Sequence, residues 1–222
     1  YKKAKKLPVI SYDEMMELAF LGAGVMEPRA VELGSKYGVE IYVGKSLGEK
    51  NGTIITSREK TKENKEMEQK VITGVSINEN MVMVNVEEIP TNAQNVYEIF
   101  KRAEANGINI DIISQNDVTS HHGSFAFTCP KTDIAALEKI GAEIEAEFPR
   151  TSFIINPYIT KVSVVGIGLI SNIGVAAKMF RILSENDISF HQVSTSEISI
   201  SLVVDEVMGK RLAELFAKEF DL

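Results

Sequence analysis

The sequence has a single cysteine, Cys129, no tryptophan and only three histidines among its 222 residues. One cysteine excludes an intrachain disulfide and a zinc site built from paired cysteines, and it favours a reducing compartment. No apolar run approaches the roughly 18–20 residues of a membrane span, and no signal-peptide pattern opens the chain. We therefore expect a cytoplasmic protein with no membrane partner.

Basic residues are fewer than acidic ones, with 24 Lys and Arg against 31 Asp and Glu and a formal net charge of −7. This balance argues against a basic surface for nucleic acid, so we expect no nucleic-acid partner. Hydrophobic residues make up 44% of the chain and charged residues 25%, as in ordinary globular domains. Because the first residue is Tyr1 rather than methionine, we expect a piece of a longer protein.

One segment has almost no apolar residues: positions 57–69 carry eight charges, four of each sign, and one apolar residue. Such a composition is typical of a solvated helix or linker at a domain boundary. The sequence before it contains a capping box, Ser11 with Glu14, and a second helix that begins with proline. Two short strand patterns follow at 39–43 and 52–56, so this piece predicts the end of an α/β domain.

An internal repeat dominates the rest of the chain. Residues 91–116 align with residues 171–196 without a gap, at an offset of 80. Each copy predicts an amphipathic helix, because apolar positions at i, i+3, i+4 and i+7 share one helix face. The predicted core-facing residues are Val96, Ile99, Phe100 and Ala103 in the first copy and Ala176, Met179, Phe180 and Leu183 in the second.

Strand patterns flank each predicted helix, so each copy predicts the order βαββα. The first copy has a final strand at 152–156, which completes a ferredoxin-like βαββαβ unit. The second copy ends one strand short, and one strand pattern at 70–77 is left over before the first copy. We therefore predict that strand 70–77 completes the second sheet, which interlocks the two units. The predicted fold class is α+β, preceded by the end of an α/β domain.

The sequence contains no complete catalytic constellation. The segment GIG at 166–168 follows a strand as in dinucleotide-binding proteins, but Ser171 stands where the third glycine belongs. A Rossmann site is therefore disfavoured, and a close approach of these small residues to another segment or a ligand is favoured. His121 and His122 lack further ligands at metal-binding spacing, so we predict no metal site. His191 is expected to be a half-buried, hydrogen-bonded histidine.

Hydroxyl groups cluster at 194–201, STSEISIS, where a predicted strand ends. A hydroxyl-rich strand end that faces a small-residue helix N-terminus, here Ser171 and Gly174, can hold an amino acid. Amides and hydroxyls would bind its carboxylate, and carbonyls its ammonium. A plain polar hairpin is the alternative interpretation.

Four segments together resemble aspartate kinase (aspartokinase). They are ISYDEMMELAFLGAGVMEPRAVELGSKYGVEIYVGKS (10–46), GINIDIISQN (107–116), KVSVVGIGLISNIGVAAKMF (161–180) and VSTSEISISLVVDE (193–206). The resemblance runs in order over essentially the whole chain. It implies that 1–57 is the C-terminal part of the catalytic domain, 58–69 a linker, 79–158 a first ACT domain, and 70–78 with 159–222 a second.

The resemblance also implies a function. The family phosphorylates the β-carboxylate of L-aspartate with MgATP, the first step of lysine, threonine and methionine biosynthesis, and is feedback-inhibited by lysine, threonine or both. The family's phosphate-binding segment is absent here, so we expect this piece to be inactive alone and to hold no cofactor. We expect amino-acid effectors and a homo-oligomer, or a catalytic subunit, as partners. The alternative is a non-catalytic ACT-type amino-acid sensor or regulatory subunit.

The sequence departs from the family at four places. The nucleotide-contacting lysine is replaced by Gly24, beside Ala23. The usual DKPG loop of the first ACT unit reads EEIPTNAQ at 87–94. In the second unit the usual HPG reads Asn-Ile-Gly at 172–174, and the usual Asn-Ile reads Ser-Phe at 189–190.

The predicted effector sites lie where the helix N-termini at 91–96 and 171–176 meet the strands at 109–115 and 189–196. Gly174→Val is expected to weaken binding with little change in folding. The predicted effector-binding residues are Thr91, Asn92, Ala93, Gln94, Asn109, Ile110, Asp111 and Gln115 in the first unit, and Ser171, Gly174, Val175, Ala176, Ser189, Phe190, Thr195, Ser196 and Glu197 in the second.

Overall fold

The computed structural model describes residues 2–48, 51–64, 70–90, 92–115 and 122–222. Contacts divide the chain into two compact units, one formed by Tyr1–Asn78 with Lys161–Leu222 and the other by Glu79–Thr160. The unit Glu79–Thr160, the inserted unit, thus lies in sequence between the two parts of the other, the outer unit. Each unit has its own buried apolar core.

The strands and helices of the described residues have the following bounds. The strands are β1 (Val9–Ser11), β2 (Ile41–Val43), β3 (Thr53–Thr56), β4 (Gly74–Asn78), β5 (Met81–Pro90), β6 (Ile113–Gln115), β7 (His122–Pro130), β8 (Ser152–Asn156), β9 (Ile159–Val165), β10 (Gln192–Thr195) and β11 (Ser199–Asp205). The α-helices are α1 (Tyr12–Phe20), α2 (Pro28–Tyr37), α3 (Arg58–Lys62), α4 (Ala93–Ala105), α5 (Ile134–Glu147), α6 (Val175–Glu185) and α7 (Gly209–Glu219). A short 3-10 turn, Ile167–Ile170, lies between β9 and α6.

The N-terminal piece is built on a three-stranded sheet in the order β1-β3-β2, with β1 parallel and β2 antiparallel to β3. The predicted capping box starts α1, because the Glu14 N–H donates to Ser11 Oγ at 3.2 Å. Gly38 ends α2 with a left-handed φ of +65°. Ile10 and Ile55 form part of a core shared with Val165 of β9.

The strand pattern predicted at 70–77 forms β4, which joins the sheet of the second copy of the repeat, as predicted. β4 is antiparallel to β9, with Gly74 opposite Val165 and Asn78 opposite Lys161. The resulting four-stranded sheet has the order β10-β11-β9-β4. The prediction of this pairing is therefore confirmed, although the strand begins at Gly74 rather than at residue 70.

Helices α6 and α7 pack against this sheet and form a buried core with it. Met179, Leu202 and Phe216 are at most 1% exposed and belong to one cluster with Val162 and Val164 of β9. Burial of such side chains contributes about 1.5–3 kcal/mol each and is the main driving force for folding. The core thus joins strands from both ends of the sequence.

The predicted core face of α6 is partly wrong. Met179 and Leu183 are buried as predicted, but Ala176 is exposed and Phe180 is 37% exposed. The buried stripe instead begins at Val175, one residue earlier, because one residue of helix rotates the side chain by about 100°. Phe180 packs at its edge on Phe190, with ring centroids 5.3 Å apart.

The inserted unit has its own four-stranded antiparallel sheet in the order β6-β7-β5-β8. Phe127, Leu137 and Ile144, each at most 1% exposed, lie in its core beneath α4 and α5. Cys129 is fully buried in the same cluster, and this burial raises the pKa of its thiol to about 12. The protonated thiol therefore serves as a small apolar group.

Candidate functional site

The GIG segment packs against the protein's own backbone. A Cβ on Gly166 would lie 2.2 Å from the Val71 carbonyl oxygen, and one on Gly168 would lie 2.5 Å from Val71 Cα. Contacts this short leave no room for a side chain at either position. The predicted close approach of small residues is confirmed, and the segment that approaches is the lead into β4.

The N-terminus of α6 is open on one side. Gly174 is its N-cap, with a left-handed φ of +102° and no side-chain cap, and a Cβ there would meet no atom within 4 Å. Ser171 and Ala176 are exposed, whereas Val175 is 6% exposed and packs in the core. Gly174→Val would strain the backbone, so the expectation that it leaves folding unchanged is corrected.

The hydroxyls after β10 first of all build a turn. Ser196 Oγ accepts the N–H of Ile198 at 3.3 Å and that of Ser199 at 3.0 Å, and it lies 2.9 Å from Ser199 Oγ. Thr195 and Glu197 are exposed on either side. The Gly166 N–H donates to the Ile198 carbonyl at 2.9 Å, so this turn lies beside the GIG segment.

Helix α1 contacts this turn directly. Glu17 accepts a hydrogen bond from Ser199 Oγ at 2.5 Å and lies 3.5 Å from Ser196 Oγ. A cavity of about 430 Å³, the junction cavity, opens between helix, turn and 3-10 segment. It is lined by Asp13, Met16, Glu17, Phe20, Arg58, Ile167, Ile170, Ser196, Glu197 and Ile198.

Two of the predicted effector-binding residues of the outer unit lie at the other end of α6. Ser189 and Phe190 follow the helix C-terminus at Asn186, whereas Ser171 and Gly174 precede its N-terminus. A helix of 11 residues spans about 16 Å. The structure therefore brings Ser196 and Glu197, but not Ser189 and Phe190, to the end of the sheet that carries the helix N-terminus.

The inserted unit, Glu79–Thr160, also holds its predicted effector-binding residues at two separate places. Asn92 caps α4 by accepting the Asn95 N–H at 2.8 Å, just beyond Pro90 at the end of β5. The Asp111 N–H donates to Thr128, which pairs with Met83 near the start of β5. Met83 lies near the start of β5 and Pro90 at its end, with a bulge between Val86 and Ile89, so the two groups of residues lie toward opposite ends of this strand.

The remaining predicted residues of this unit divide between the two ends. Ala93 and Gln94 lie with Asn92 at the exposed start of α4, and Gln115 ends β6. Asn109 and Ile110 lie with Asp111, beyond the helix C-terminus. Thr91 lies outside the described residues.

The predicted nucleotide-contact position lies in the turn between α1 and α2. The Ala23 N–H donates to the Leu18 carbonyl at 2.9 Å, which holds the turn on the helix end. A Cβ on Gly24 would meet no atom within 4 Å. The backbone here would accept a side chain, so local packing does not explain why glycine replaces the family lysine.

The histidines and acidic residues form no metal centre within the ranges that the structure describes. His191 Nε2 lies 2.8 Å from Asp205 Oδ1, with 30% of the His191 side chain exposed, so this residue is hydrogen-bonded as predicted. His121 lies outside the described ranges. Among the described residues, no helix is long and apolar enough to cross a membrane.

Sequence analysis missed the N-terminal half of the junction cavity. Asp13, Glu17 and Arg58 come from α1 and α3, and they reach the same cavity as Glu197. One signal pointed to them: Asp13 and Glu17 are four residues apart on a short helix, hence on one face. Nothing in the sequence indicated what that face contacts.

Comparison with known proteins gives the family. A model described as ACT domain matches residues 162–220. The chain is 38% identical over 222 residues to an aspartokinase of Bacillus sp. (strain MGA3), covering 100% of this chain and 53% of that protein. The chain thus spans about half the length of the curated relatives it matches.

Solved structures agree. The chain is 32% identical to the crystal structure of aspartokinase alpha and beta subunits, with a TM-score of 0.63, covering 68% of this chain and 99% of that one. It is 28% identical to the ligand-free regulatory subunit of aspartate kinase from Thermus thermophilus, with a TM-score of 0.62, covering 67% and 98%. The fold of this chain and its internal repeat are those of a regulatory region built from ACT domains. The chain belongs to the aspartokinase family.

Proposed function

We propose that the longer protein is an aspartate kinase, which transfers a phosphoryl group from MgATP to the β-carboxylate of L-aspartate, and that this chain is its regulatory portion. Residues 1–57 are then the C-terminal part of the catalytic domain and 58–69 a linker. Residues 79–158 form one ACT domain, and 70–78 with 159–222 the other. A cytoplasmic location, expected from the single cysteine, belongs to the same proposal.

One observation carries this proposal. Helix α1, from the catalytic-domain part, is hydrogen-bonded through Glu17 to the hydroxyl-rich turn of the second ACT domain. An effector bound beside this turn would therefore contact both the ACT domain and the catalytic-domain part. Effector binding can change catalysis only if the effector binds two arrangements of the protein with different affinities, and a shared site supplies that difference.

Lysine is the effector whose charges match the junction cavity. Asp13, Glu17 and Glu197 supply carboxylates for two ammonium groups. Arg58 also lines the cavity, and its guanidinium can bind a carboxylate in a bidentate way. Two cations and one anion are the charges of lysine at neutral pH.

The cavity walls also favour a lysine stem. Met16 and Ile170 provide apolar surface between the charged groups, on which four methylenes could pack. Threonine has one ammonium group and no such stem, so it would leave one more carboxylate unmatched than lysine does. For threonine we propose the loop of the first ACT domain, where Asn92, Gln94 and Gln115 offer amide groups.

Lysine is expected to bind the purified chain in calorimetry more tightly than threonine or diaminopimelate. Norleucine, which has the stem without the second ammonium, should bind at least about tenfold more weakly, a loss of about 1.4 kcal/mol. Glu197→Gln should weaken lysine binding by a similar factor, since a carboxylate partner is lost. Glu32→Gln, on an exposed face of α2, is the matched control and should titrate like the parent. Equal binding of norleucine and lysine would contradict this site.

We expect the chain to form at least a dimer through its ACT units. β10 is an edge strand, and Val193, Phe180 and Phe190 beside it are 37–44% exposed. Such an edge is a template for pairing with a second copy or a catalytic subunit. Light scattering should give at least twice the 24.5 kDa of one chain, and Val193→Lys should lower that mass. A concentration-independent mass of 24.5 kDa in the parent is the contrary outcome.

A separate regulatory subunit is the second candidate. It is favoured by the chain's coverage of 98% of the regulatory subunit from Thermus thermophilus. The coding sequence decides between the two candidates. A phosphate-binding segment encoded upstream in the same reading frame makes the protein an enzyme, whereas a start codon close before the linker makes it a regulatory subunit.

A further inference from the structure

The Glu14 carboxylate is buried, with 4% of the residue exposed. One oxygen, Oε2, closes the capping box: it accepts the Ser11 hydroxyl at 2.6 Å and lies 3.4 Å from the Ser11 backbone nitrogen. These contacts stay within the first turn of α1. Capping therefore accounts for one of the two oxygens and leaves the other to be explained.

The other oxygen, Oε1, accepts two hydrogen bonds from outside the helix. The Ile167 N–H donates to it at 3.1 Å, and the Thr73 hydroxyl donates to it as well. Ile167 opens the 3-10 turn before α6, and Thr73 directly precedes β4. A single atom thus joins three segments that lie far apart in the sequence.

Neighbouring contacts show that a whole face of α1 is used this way. Glu17 accepts from Ser199, and the Leu21 carbonyl accepts from Ser76 Oγ at 3.0 Å. Glu14 and Glu17 are three residues apart and therefore share one face of α1, and Leu21 is the residue that caps its C-terminus. Glu14 is the member of this set that is buried, with 4% of the residue exposed.

We propose that Glu14 is a positioning residue that makes helix α1 and the 3-10 turn at 167–170 move together. A displaced turn or helix would withdraw a donor from Oε1 and leave a buried carboxylate under-satisfied, which is more costly than losing an exposed contact. The displacement of one segment is therefore passed to the other. The purpose of this coupling rests on the proposed function, because Ile167 also lines the junction cavity.

Hydrogen exchange on the full 222-residue chain, without ligand, tests the coupling. Thr73→Val has nearly the same volume and removes one donor to Oε1. We expect amide exchange to become about tenfold faster both in residues 12–20 and in residues 166–170, although Thr73 lies in neither segment. Thr73→Ser restores the hydroxyl and should return both segments to parent rates.

Ser11→Ala is the matched control, because it removes the capping contact and leaves Oε1 untouched. It should accelerate exchange only in the first turn of α1. The proposal is overturned if Thr73→Val changes exchange only next to residue 73, or if Ser11→Ala disturbs 166–170 as strongly. Should Thr73→Val unfold the chain, Thr73→Ala removes the same donor to Oε1 without adding bulk, and the exchange rates of the same two segments then decide.

Adding lysine separates this proposal from the proposed function. If lysine binds, it should slow exchange in residues 12–20 of the parent and do so less in Thr73→Val. If lysine does not bind, the proposed effector is wrong, and the exchange rates of the ligand-free variants still decide on the coupling.

Discussion

A chain that lacks residues 1–78 should lose the folded second ACT domain while residues 79–160 stay folded. The truncation removes β4, which pairs with β9 along five residues from Gly74 to Asn78. It also removes Ile72, which is 2% exposed and belongs to the core under α6 and α7. Each lost ladder hydrogen bond costs about 0.5–1.5 kcal/mol, and the total approaches the whole stability of a small domain.

The measurement compares the fragments 79–222, 79–160 and 70–222 by solubility and by thermal melting followed by circular dichroism. The fragment 79–222 exposes β9 as a new edge and should aggregate. The fragment 79–160 contains a complete sheet and core, so it should melt cooperatively. The fragment 70–222 keeps β4 and should be more soluble than 79–222. A soluble 79–222 with the parent's melting temperature would show that β4 is dispensable.

Gly166→Ala should destabilise the outer unit, Tyr1–Asn78 with Lys161–Leu222, by about 3 kcal/mol, the upper range for overpacking. The added methyl group would lie 2.2 Å from the Val71 carbonyl oxygen and 2.6 Å from Ile72 Cα. Both atoms belong to backbone, so no side chain can rotate out of the way. The clash also falls at the lead into β4, where movement would disturb the pairing with β9.

Urea denaturation of the parent and variants measures this effect. Gly24→Ala is the control, since its added methyl group would meet no atom within 4 Å, and its effect should stay within about 0.5 kcal/mol. Equal stability of the two variants would mean that the close approach at Gly166 relaxes without cost.

Helix α1 contacts the two turns that border the junction cavity. Glu17 contacts the hydroxyl-rich turn, and Glu14 contacts the 3-10 turn and the lead into β4. An effector in the junction cavity would touch the same segments that hold helix α1. Under the proposed function, regulation by such a site needs no long pathway, because the effector and the N-terminal piece would share contacts with one pair of turns.

Spacing along the chain was enough to predict most helices and strands and their order. The capping box at Ser11 and Glu14 is local, because its two partners lie three residues apart. The strand patterns of the repeat, together with the count of strands per unit, sufficed to place β4 in the sheet of the second copy, where the structure pairs it with β9. These features follow from spacing along the chain, which a single sequence displays in full.

Which side chains contact one another could be seen only in the folded protein. The repeat predicted a core role for Ala176, but a rotation of about one residue turned it to solvent. It predicted one site for Ser189 and Ser196, but the length of α6 holds them at opposite ends of the sheet. The second role of Glu14 depends on donors 59 and 153 positions away. Such meetings are set by helix rotation, sheet order and packing between distant segments, and no local pattern of residues encodes them.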